Sequence, residues 1–106
     1  DSAERVEAHA DLIAERAVIL GGIAQGTSQA VGEASTLPPY PRDLQDAHGT
    51  VDRLSSALAA FGANVRKAID AADEAGDKDT ADLFTEVSRS IDKDVWFVEA
   101  HSARFA

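Results

Sequence analysis

Cysteine is absent from this 106-residue chain, and so is methionine. Without cysteine there is no disulfide framework and no thiolate site, and a reducing compartment such as the cytoplasm is the easier fit. Without methionine at its start, the chain opens on Asp1-Ser2-Ala3-Glu4, already in helical pattern, which reads as a processed or truncated product. No apolar run approaches the roughly 20 residues needed to cross a bilayer, and no basic-then-apolar leader is visible. Basic residues are also scarce: 10 Lys and Arg face 19 Asp and Glu, for a formal net charge of −9. That balance argues against nucleic-acid binding through the body of the domain, because phosphate contacts need Lys and Arg. It suits attraction of cations, and equally an ordinary solvated acidic surface. The chain carries no phosphate loop, zinc pattern, dinucleotide fingerprint or nucleophile elbow.

What is present is a helical pattern. The length suits one domain, and a hydrophobic fraction of 44% is enough to bury a core. Three long amphipathic stretches predict an all-α fold with no strand. The first runs from Ser2 to Leu20, with one apolar stripe at Ala3, Val6, Ala10, Ile13, Ala17 and Leu20 and a second, shorter one at Ala8, Leu12 and Ile19. Gly21-Gly22 ends it. The loop from Gly21 to Pro41 holds a short helical turn around Ser28–Glu33 and an extended Leu37-Pro38-Pro39-Tyr40-Pro41 segment, because each proline restrains itself and its predecessor. A loop this long can cross the end of a bundle, so that the next helix runs parallel to the first. The second long helix is expected from Leu44 to Ala75, with Gly49 and Gly62 inside it and Gly76 as its stop. The third is expected from Asp79, where Asp79-Thr80-Ala81-Asp82 resembles a capping box. Its apolar stripe is Phe84, Val87, Ile91, Val95 and Val98, and fraying is expected by Ser102. Trp96 and Phe97 add bulk on neighbouring faces, and Trp96 is assigned to core or interface packing. Helix one has two stripes but only two long neighbours, so a further partner is expected from upstream residues or from another subunit.

The segment DLIAERAVILGG places Asp11 and Glu15 one helical turn apart. Glu4, Glu7, Asp11 and Glu15 fall within about 80° of one another at 100° per residue, between the two apolar stripes. This strip can be a plain solvated face. However, carboxylates beside packed apolar surface need protons, cations or donors. An i, i+4 pair converges on one point, where it can chelate a hard or borderline cation through oxygen. His9 points about 160° away from Asp11 on the helical wheel and reads as a surface or interface histidine.

DLIAERAVILGG, then GTSQAV, then LPPYP, then DKDTADLFTEVSRSIDKDVWFVEAH resembles the Dps family of mini-ferritins, and the likeness covers essentially the whole chain. The resemblance implies a ferritin-like four-helix bundle, of which this chain supplies about three helices plus a short loop helix. It also implies a single Dps domain over residues 1–106 that lacks its first helix and the start of the second. Subunits of this kind assemble into a dodecameric hollow shell. Fe²⁺ is oxidised with hydrogen peroxide at di-iron sites shared across a twofold subunit interface, and ferric mineral collects inside. The family's D-x-x-x-E ligand pair falls on Asp11 and Glu15, which makes these the catalytic and metal-binding positions. Two histidines from the facing subunit complete the site, and they lie outside these residues. A further family carboxylate falls one position before Asp1, so Asp1 is carried over only one residue out of register.

Asp77, Asp82 and Glu86 form a second acidic group. Acids at a helix start are favoured by capping and by the macrodipole. The resemblance adds a second role, lining a threefold pore through which Fe²⁺ enters. Any DNA association would have to arise without a basic tail, since the chain ends His101-Ser102-Ala103-Arg104-Phe105-Ala106. The alternative function is a non-catalytic DNA-associating or assembly protein of the same fold, with a stand-alone helical adaptor as a third reading. His48 reads as exposed or at an interface, and Arg66, Lys67, Arg89 and Lys93 as surface charges.

Overall fold

The computed structural model describes residues 1–39 and 46–105, without the side chains of His48 and residues 102–105. The expected helix start at Leu44, the extended reading of Tyr40-Pro41 and the placement of the His48 ring therefore lie outside the described residues. Within them the chain is helical: α1 (Ser2–Ile19), α2 (Ser28–Ala34), α3 (Ala47–Glu74) and α4 (Lys78–Phe105), with no strand. It divides into two compact units, Asp1–Thr36 and Leu37–Ala106.

In the first unit, Asp1 caps α1, its Oδ1 accepting from the Ala3 and Glu4 amides at 2.8 and 3.2 Å. The helix closes in a Schellman arrangement, with Gly22 N–H donating to Ala17 O and Gly21 N–H to Val18 O. Gly21 takes the left-handed conformation this requires, at φ +94°. Thr27 then starts α2, its hydroxyl accepting from the Ala30 amide at 3.1 Å. Of the expected stripe on α1, Val6, Ile13 and Ala17 are half-buried, whereas Ala3, Ala10 and Leu20 are exposed; Ser2, His9, Ala14 and Arg16 complete the shielded side. His9 is accordingly 8% exposed, and the expectation of a surface position is corrected. Alanines surround α1, so its apolar pattern has little contrast and its phase is poorly set by sequence.

In the second unit, α3 and α4 form an antiparallel helical hairpin. Asp46 caps α3 by accepting from the Gly49 amide. Gly76, at φ +78°, ends it with the same device as Gly21: Asp77 N–H donates to Ala72 O, and Gly76 N–H to Asp73 O. The cap of α4 is Asp77, not the expected Asp79. Asp77 Oδ1 accepts from the Thr80 amide at 3.1 Å and Oδ2 from the Thr80 hydroxyl. The helix therefore starts one residue early and continues through Phe105, past the expected fraying point at Ser102.

The hairpin core is Leu58 and Val65 from α3 against Ala81, Val87, Ile91 and Val98 from α4, with Val87 and Ile91 wholly buried. This matches the expected stripes. Leu54, at 39% exposure, lies at the edge of its stripe. Asp94 stands on the same seam, three residues after Ile91 and four before Val98, and is only 2% exposed. Two pairs brace the hairpin at its rim: Ser55 Oγ with Glu99 Oε1, and Arg66 with Asp92, both at 3.4 Å. The second is an exposed ion pair, which contributes little to stability. Trp96 and Phe97 are 65% and 58% exposed, so Trp96 is not in the core of this chain, which leaves the interface half of its expectation. Their rings meet edge to face at 6.4 Å on the outside of α4.

Candidate metal centre

α1 carries the acids in the geometry its sequence implies. Glu4, Glu7, Asp11 and Glu15 are all exposed. A turn of helix separates Asp11 from Glu15, a rise of about 6 Å over four residues, so both carboxylates stand on one side of the helix. Among the described residues neither makes a hydrogen bond or an ion pair within the chain. Two carboxylates one turn apart, neither committed to an internal donor among the described residues, are oxygen donors of the type that hard or borderline cations prefer.

The surface beside this pair is apolar. Ala14, Glu15, Val18, Ile19 and Ala24 line an open groove in which Glu15 is the one charged residue. Val18, Ile19, Leu20 and Ile23 continue the aliphatic surface at 56%, 72%, 58% and 84% exposure, and Leu12 adds to it at 38%. The second, shorter stripe expected on α1 is thus largely uncovered within this chain. A cation held by Glu15 would sit at the border of a surface suited to exclude water once a partner covers it.

The other positions behave differently. Asp1 spends one carboxylate oxygen on the two amides it caps, and it lies about 15 Å along the helix from Asp11. His9 is on another face of α1. Among the described residues no group of three or more His, Asp or Glu side chains is gathered tightly enough to hold a metal ion.

At the start of α4, Asp82 and Glu86 are exposed and one turn apart, on one face of the helix. Asp77, half-buried, is held by its capping bonds to Thr80. The structure thus separates the three acids that sequence groups together: two point outward as free anionic positions, while the third has a structural task. Asp73, near the end of α3, pairs with Lys78 at 3.1 Å. No helix among the described residues is long and apolar enough to cross a membrane.

Comparison with known proteins identifies the family. The family model for the ferritin-like domain matches residues 1–106. A DNA protection during starvation protein from Agrobacterium fabrum is 47% identical over 97 residues, covering 92% of this chain and 60% of that protein. DpsC from Streptomyces coelicolor superposes with a TM-score of 0.88 at 32% identity, over 93% of this chain and 58% of the other. Dps from Staphylococcus aureus superposes with a TM-score of 0.80 at 28% identity, over 87% and 61%. The chain thus spans about three-fifths of the length of each of these relatives. An all-helical architecture, a whole-length family match and these neighbours agree that this chain belongs to the ferritin-like proteins, within the Dps family.

Proposed function

We propose that the chain forms part of an iron-oxidising, iron-storing Dps shell, a cytoplasmic assembly that protects DNA from oxidative damage. The observation that carries this reading is the pair Asp11 and Glu15: exposed, one turn apart, without bonded partners among the described residues, and set against an apolar groove beside Glu15. Over residues 1–106 the chain is then one ferritin-like domain without its first helix and the start of the second. Asp11 and Glu15 supply oxygen ligands from one subunit. A second subunit covers the groove and supplies histidine nitrogens from a segment outside these residues. Each half alone holds iron weakly; together they make a di-iron site.

The redox chemistry belongs to the substrates. Two Fe²⁺ ions each give one electron to hydrogen peroxide; its O–O bond breaks, and with two protons it leaves as two waters. Delivering both electrons in one event avoids release of a hydroxyl radical. The protein's part is to bind, orient and shield. Asp82 and Glu86, with Asp77 behind them, are assigned to a threefold entry pore, where several copies of these acids raise the local concentration of Fe²⁺.

The mass of the assembled particle, measured on the full-length protein, tests the architecture. A dodecamer is expected, and a stable monomer would refute the shared site. The second reading, a non-catalytic DNA-associating protein of the same fold, draws on the names of the relatives. A net charge of −9 opposes it for this chain. Strong, salt-sensitive gel retardation of DNA by this chain would favour it.

A further inference from the structure

We draw no further inference here: the strongest candidate, the exposed aromatic patch of Trp96, Phe97 and His101 on the outer face of α4, is an unpartnered face, and nothing in the structure shows what covers it.

Discussion

Replacing Asp11 with Asn and Glu15 with Gln in the full-length protein removes two charges and almost no volume. Both side chains are exposed and make no bonds within the chain among the described residues, so the fold should lose no more than about 0.5 kcal/mol per site. Iron binding should respond far more strongly. Disturbing a group that merely orients a metal ligand costs about 10–100-fold in affinity. Removing a ligand itself should therefore cost at least ~100-fold, or about 2.8 kcal/mol. Glu4→Gln is the control for bulk charge. Glu4 stands seven residues from Asp11, about 10.5 Å along the helix. A unit charge acting on a divalent ion across that distance in water is worth about 0.8 kcal/mol before salt screening, or roughly fourfold. Anaerobic calorimetric titration with Fe²⁺ reads the affinities, and ultraviolet absorbance of the ferric product after peroxide addition reads the chemistry. The reasoning fails if D11N/E15Q binds Fe²⁺ as tightly as the parent while remaining folded. It fails equally if Glu4→Gln weakens binding as much, because the strip would then act only as a diffuse field.

Other tests separate roles that sequence alone leaves merged. Asp1→Asn in the full-length protein should leave iron affinity unchanged in the same calorimetric titration, since Asp1 lies about 15 Å along the helix from Asp11; a large loss of affinity would make Asp1 a ligand instead. The double variant D82N/E86Q should slow iron uptake at low ionic strength, with the difference shrinking towards ~0.15 M salt as the field is screened; stopped-flow uptake that is identical at low salt would remove these acids from the entry path. Ile91→Ala should destabilise the hairpin by about 2–5 kcal/mol in denaturant unfolding, because Ile91 is completely buried on the α3–α4 seam.

Helix identity was largely legible from residues, because glycines and spacing act locally. Gly21 and Gly76 end their helices in the left-handed conformation that only glycine takes easily. Val87, Ile91 and Val98 keep the regular spacing of one helical face, as Leu58 and Val65 do on α3. Helix starts were harder. Asp77 and Asp79 both have the chemistry of a cap, and only the backbone path decides that Asp77 reaches Thr80. His9 was misplaced because a helix rich in alanine has apolar character on every side. Asp94 was passed over because a charged residue reads as solvent-facing, although the seven-residue gap from Ile91 to Val98 leaves room for one seam position between them. Trp96 is the opposite case: bulk and apolarity allow core or interface, and its angular position on α4 takes it out of the hairpin core. For the candidate site, spacing alone placed Asp11 and Glu15 on one side of α1. The histidine half of the proposed site is assigned to a segment outside these residues, so no spacing here could reveal it.

The three-residue connection between α3 and α4 has a kinetic consequence. Its ends are held by a left-handed glycine and an aspartate cap, so the chain reverses direction with little loop entropy to overcome. The hairpin should therefore collapse early, in a step whose rate does not depend on protein concentration. The aliphatic surface that follows α1 has no such local closure. On the proposed assembly a second subunit covers it, and maturation of this part should then accelerate as the protein becomes more concentrated.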